Sequence, residues 1–120
     1  MNENSFAHQI GEIILSKKGY DIRILDLRGL TTIADYFVIC SADSDVQVKS
    51  IADEVDNKLS KNGIKCYHKE GYEALNWVLL DYFDVVVHVF KKDAREYFSL
   101  ERLWGDAPVE TIEDDAAGNK

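Results

Sequence analysis

Asp81 and His88 stand close together in the run NWVLLDYFDVVVHVF, residues 76–90, and Ser41 and Ser99 lie elsewhere in the chain. A carboxylate that orients an imidazole, which in turn takes a proton from a hydroxyl, is the arrangement of acyl-transfer hydrolases. That chemistry also needs a positioned nucleophile and oxyanion donors, and the chain shows no nucleophile elbow and no glycine-rich cradle. His88 therefore reads better as a hydrogen-bonded structural residue. Zinc would require Cys and His at ligand spacing, and Cys66, His68 and His88 are too few and too scattered for it. No metal and no cofactor is expected.

Ser41-Ala42-Asp43-Ser44-Asp45 carries alternate carboxylates that suit a divalent ion held against a nucleotide phosphate. The stretch is similar to the place where nucleotidyltransferases carry Gly-Ser followed by Asp-x-Asp, but the glycine is absent and both carboxylates crowd a helix start. Helix capping explains Asp43 and Ser44 without metal. A metal-dependent nucleotidyltransferase using Asp43 and Asp45 stays open as an alternative reading.

These residues have to be placed by elements that the hydrophobic pattern outlines. From Glu3 to Lys18, Phe6, Ile10, Ile13 and Ile14 form the stripe of an amphipathic helix, and Gly19 stops it. DIRILDLR and DYFVICSA predict strands over 21–28 and 35–42. Ser44 and Gln47 have capping-box spacing, and Val48, Ile51, Ala52, Val55 and Leu59 then keep helical period until Asn62-Gly63. IKCYHKE predicts a third strand over 64–70, and residues 76–90 supply two more. Asp93 with Glu96 predicts the cap of a last helix over about 94–104. The order implies an α/β fold, a single domain over 1–105 with a mixed β-sheet of about five strands flanked by helices. Residues 106–120, with five acids against Lys120, are expected to form a disordered acidic tail.

With Tyr82-Phe83 as the hairpin turn, Asp81 faces Asp84, Leu79 faces Val86 and Trp77 faces His88. Val78, Leu80, Val85, Val87 and Val89 then form an aliphatic core face, while Trp77, Asp81, Asp84, Val86, His88 and Phe90 share the other. In the last helix, at about 100° per residue, Ala94, Tyr97, Phe98, Leu100, Leu103 and Trp104 span well over half the circumference. That is more apolar arc than one core contact needs. Glu101 lies inside the arc, so it either pairs with a buried cation or stands at the edge of an interface. The competing reading places both tryptophans in the core.

The 120 residues carry a net charge of -8, which opposes direct binding of nucleic acid and favours a basic partner. Cys40 and Cys66 lie in apolar runs and read as reduced thiols. The start of the chain lacks the features of a secretory signal, and no apolar run is long enough to span a membrane. A cytoplasmic protein is expected.

Three blocks, ADYFVICSADSDVQVKSIADEV (34–55), KEGYEALNWVLLDYFDVVVHVF (69–90) and REYFSLERLWGDA (95–107), together resemble the signature of the ribosomal silencing factor, or Iojap, family. The likeness runs in order from about Phe6 to Ala107. It departs at Phe83, where the family usually carries glycine. The resemblance implies a nucleotidyltransferase-like fold without known catalytic use. It also implies binding to the large ribosomal subunit through large-subunit ribosomal protein number fourteen, where a bound factor blocks joining of the small subunit and lowers translation when nutrients are short. A homodimer is implied for the free protein. Carried over by position, Trp77, Asp81, His88 and Phe90, with Tyr97, Leu100, Glu101 and Trp104, are the expected docking residues.

Overall fold

A computed structural model describes residues 3–113 of the chain. The elements run α1 (Glu3–Ser16), β1 (Tyr20–Asp26), β2 (Tyr36–Ala42), α2 (Asp45–Lys61), β3 (His68–Glu70), β4 (Trp77–Asp81), β5 (Val85–Lys91), α3 (Lys92–Phe98), α4 (Leu100–Leu103) and β6 (Val109–Ile112). One mixed sheet in the order β3-β4-β5-β2-β1-β6 organises them. Strands β2 and β5 are parallel, and the other pairs are antiparallel. No helix among the described residues is long and apolar enough to cross a membrane.

Alternation along the strands sorts two cores. Helices α1 and α2 cover one face, where Ile10, Ile14, Ile51 and Val55 meet Val38, Leu80, Val87 and Val89. The other face carries Leu25, Phe37, Ile39, Val86 and Phe90, with Ala94, Leu100 and Trp104 packed over part of it. Each fully buried side chain of this size contributes roughly 1.5–3 kcal/mol, so the first core supplies most of the stability and the second is a thinner layer. The N-cap of α2 forms as its sequence predicts, with the Gln47 N–H donating to Ser44 Oγ at 3.2 Å. The Gln47 carboxamide does not return to the Ser44 amide. It accepts from the Asp43 N–H at 2.7 Å and donates to the Lys18 carbonyl at 2.9 Å, tying the end of α1 to the start of α2.

Four sequence expectations need correction. The sheet has six strands, because β6 pairs with β1 inside the stretch expected to be a disordered tail. Pro108 accepts from the Asp26 N–H at 2.9 Å, and Ile112 buries itself against Gly11 of α1. Residues 114–120 of that tail lie outside the described residues. The third strand covers only His68–Glu70. The last helix is broken, since Ser99 takes a left-handed backbone (φ 51) between α3 and α4, and the N-cap is Lys91 without a side-chain bond, not Asp93.

The fourth correction concerns the hairpin. Trp77 pairs with Phe90, Leu79 with His88 and Asp81 with Val86, a register displaced by two residues from the one the sequence predicts. The turn is centred on Phe83-Asp84. The Tyr82 N–H donates to Val85 O at 2.9 Å, and the Asp84 N–H donates back to Tyr82 O across Phe83, which sits at φ 75. A shift of two preserves the face of every side chain, so the aliphatic and interrupted faces remain as predicted. A positive φ costs a residue with a Cβ roughly 1–2 kcal/mol. Phe83 recovers only a tilted contact with the exposed Tyr67 ring at 5.7 Å. Phe83→Gly is therefore expected to raise stability by about 0.5–1 kcal/mol in urea titrations.

Candidate functional site: an aromatic sheet face

Trp77 and His88, two of the residues that interrupt the hairpin, gather with Phe90, α3 and α4 on the thinner face of the sheet. Trp77 lies half-buried, stacked on Phe90 (ring centroids 4.9 Å apart, 27°) and tilted against Phe98 at 4.9 Å. Its indole Nε1–H donates to His88 Nδ1 at 3.0 Å. Phe37 packs edge-on against both His88, at 4.4 Å, and Trp104, at 6.2 Å. Gly71, at φ 93, allows the preceding loop to cross close over β4. A Cβ there would overlap the Trp77 carbonyl, so a side chain at this position would displace the tryptophan.

The sequence-predicted residues separate into layers. Phe90 and His88 are buried and form the floor, so their side chains act on a partner only through what lies above them. Trp77, Leu100 and Trp104 are half-buried, and Tyr97 is 82% exposed. Asp81 turns away into the hairpin, where its carboxylate accepts the Phe83 N–H at 2.7 Å. Glu101 takes the buried-cation alternative. Its carboxylate receives two bonds from the buried Arg95 guanidinium, at 3.0 and 2.8 Å, and one from Arg23 at 3.1 Å. Arg95 also donates to Ser41 Oγ at 2.9 Å and to the Asp21 carbonyl at 2.6 Å, fastening α3 and α4 to the β1–β2 pair. The paired guanidinium holds the Glu101 carboxyl below the usual range.

Sequence reasoning missed Arg95, and it also left out Phe98 and Leu103, which are 46% and 71% exposed. The signal for Arg95 was Glu101, a carboxylate in an apolar arc that had to find a cation. Phe98 and Leu103 were visible in the arc but not distinguishable from core.

The chemistry weighed for these residues does not assemble. Ser41 is held by Arg95, Ser99 Oγ donates to the Glu96 carbonyl at 2.6 Å, and Asp81 is engaged in the turn, so no nucleophile lines up with His88. Asp43 accepts the Tyr20 hydroxyl at 2.6 Å while Asp45 pairs with Lys91 at 2.8 Å, so the two carboxylates are directed to separate partners. Cys66 Sγ donates to the His68 carbonyl and His68 pairs with Glu70, while His88 is buried and bonded to Trp77. Among the described residues no group of three or more His, Cys, Asp or Glu could hold a metal ion. Both cysteines are free thiols, and burial pushes Cys40 up to about 12.

Burial drives the His88 pKa down to about 3 from an ordinary 6.5, so the ring is neutral and accepts the Trp77 proton at Nδ1. The unfolded chain takes up a proton below pH 6.5 that the folded chain refuses. Stability is then complete above pH 6.5 and falls as the pH drops from 6.5 towards 3. Between pH 6.5 and 5.5 the loss is expected to be about 1 kcal/mol, because the unfolded imidazole is already half protonated at the upper end. His88→Gln, which keeps an acceptor for Trp77, should flatten that limb in urea titrations across the interval.

A family profile described as "Ribosomal silencing factor during starvation" matches residues 1–120. A ribosomal silencing factor of Bacillus subtilis is 44% identical over 94% of this chain and 96% of its own length. The chloroplastic Iojap protein of Zea mays is 34% identical over 88% of this chain and 46% of its own. A crystal structure of a Chromobacterium violaceum protein superposes with a TM-score of 0.84 at 37% identity, covering 88% of each chain. A second, from Bacillus halodurans, gives 0.79 at 37% identity over 93% of this chain and all of the other. With a profile that covers its whole length and relatives this similar, the chain belongs to the ribosomal silencing factor family.

Proposed function

We propose that the protein represses translation by setting its aromatic face on the large ribosomal subunit, against large-subunit ribosomal protein number fourteen, and sterically blocking the small subunit from joining. The observation that carries this reading is the incompletely covered second core. Trp77, Leu100 and Trp104 are only half-buried there, beside the exposed Tyr97, Phe98 and Leu103. Aromatic side chains at the centre of an interface supply most binding energy, and the rigid floor of Phe90 and His88 holds Trp77 in place beforehand. The net charge of -8 complements a basic ribosomal protein and steers encounter with it, while bare RNA is repelled. The description of the matching family, a silencing factor during starvation, supports nutrient shortage as the setting. In the free protein we place a homodimer in the cytoplasm, and the reading calls for no cofactor and no catalytic residue.

Sedimentation with separated ribosomal subunits tests the proposal. Co-migration with the large subunit alone, and loss of the joined particle when the small subunit is added, is the expected result. Folded protein that fails to co-migrate at low salt would overturn it.

A further inference from the structure

A cleft of about 380 Å3 opens beyond the carboxyl ends of β2 and β5, between the β1–β2 pair and the turn from α3 to α4. From β2 the chain passes to α2 on one face of the sheet, and from β5 to α3 on the other. Such a switch between parallel strands is where open α/β sheets form a ligand crevice. Arg23, Lys92, Arg95 and Arg102 line the cleft together with the hydroxyls of Ser41 and Ser99. Arg95 and Arg23 are paired with Glu101, but Lys92 and Arg102 are exposed and form no ion pair among the described residues. The fold does not use these two cations, and in a chain of net charge -8 they stand at one opening. Three carboxylates share the wall with them; Glu101 is engaged by Arg95 and Arg23, which leaves Asp21 and Glu96 as a pair. A bare anion would be repelled by that pair. A ligand with a phosphate at one end and hydroxyl donors at the other satisfies both signs, since phosphate takes charge-assisted bonds from Lys and Arg and a carboxylate accepts from sugar hydroxyls. The volume lies in the range of small-molecule sites, roughly 300–1,000 Å3.

We propose that this cleft binds a phosphorylated, hydroxyl-bearing small molecule of nucleotide size, its phosphate on Lys92 and Arg102 and its hydroxyls on Asp21 and Glu96. An occupant would bridge the β1–β2 pair to α3, Ser99 and α4, the segment that carries Tyr97, Leu100 and Trp104. That consequence for docking rests on the function proposed above, but binding itself does not.

Calorimetric titration of the isolated full chain with ADP tests the proposal without the ribosome. Saturable binding is expected, competed by ribose 5-phosphate and weakened about ten-fold or more in the double variant Lys92→Ala/Arg102→Ala. Both side chains are exposed and unpaired, so the variant should keep the native circular dichroism spectrum. Asp45→Ala, at the neighbouring strand-to-helix junction and outside the cleft lining, should bind ADP as the parent does. Absence of heat with both ADP and ribose 5-phosphate would overturn the proposal. So would binding indifferent to the Lys92/Arg102 change, or binding abolished by the Asp45 change. Sedimentation with the large subunit reports separately on docking, so failure of either reading can be told from failure of the other.

Discussion

Tyr97→Ala is expected to weaken association with the large ribosomal subunit by about 2 kcal/mol, roughly thirty-fold, and to leave the unfolding midpoint unchanged. The ring is 82% exposed, and its aromatic contact among the described residues is with Phe98, edge-on at 5.1 Å, so folding gains little from it. A partner that covers α3 would bury most of its surface. Trp77→Ala is the contrasting case. It removes the ring stacked on Phe90 and takes the donor away from His88 Nδ1, so it should lose both docking and about 2 kcal/mol of stability. The paired outcome discriminates between a surface anchor and a supporting residue. Binding assays by gradient co-migration, with urea titration of each variant, measure both quantities. Undiminished docking by Tyr97→Ala, in a protein that does bind the subunit, would remove α3 from the interface.

The split between these residues shows what the sequence could carry. Period-two alternation placed Trp77, His88 and Phe90 on one face of the hairpin, and an error of two residues in register left that placement intact. Depth was not legible in the same way. Phe90 and Trp77 have the same period and similar side chains, but one lies at the floor and the other at the rim, because α3 covers β5 and leaves β4 partly open. The strand β6 was hidden for another reason. Its four residues bring one buried apolar anchor, Ile112, with the buried Ala107 two residues ahead of the strand, into a stretch dominated by acids. An edge strand needs only one pairing partner, so it can form with a pattern too short to register. Phe83 marked its turn poorly for a similar reason, since the backbone there adopts a positive φ that its side chain does not favour.

Arg95→Met is expected to cost about 3 kcal/mol and to abolish docking, because it strands Glu101 and frees the segment that carries Leu100 and Trp104. The loss sits at the lower end for a broken buried pair. Glu101 keeps Arg23 at 3.1 Å, and its side chain is 26% exposed. In an unbroken helix, residues 95 and 101 would lie about 120° apart around the axis and could not meet. Only the left-handed Ser99 folds Glu101 back onto the guanidinium, so the ion pair and the helix break are one structure. It follows that Glu101→Leu in the Arg95→Met background should recover the part of the stability lost to the stranded carboxylate, since an apolar pair replaces a buried charge pair at little cost, but not the bonds to the Asp21 carbonyl and Ser41. Docking should return with it if Arg95 acts by holding α4 in place. A double variant that regains that part of its stability but still fails to bind the large subunit would instead put the Arg95–Glu101 charges themselves in the interface, and the break at Ser99 would then serve to present them.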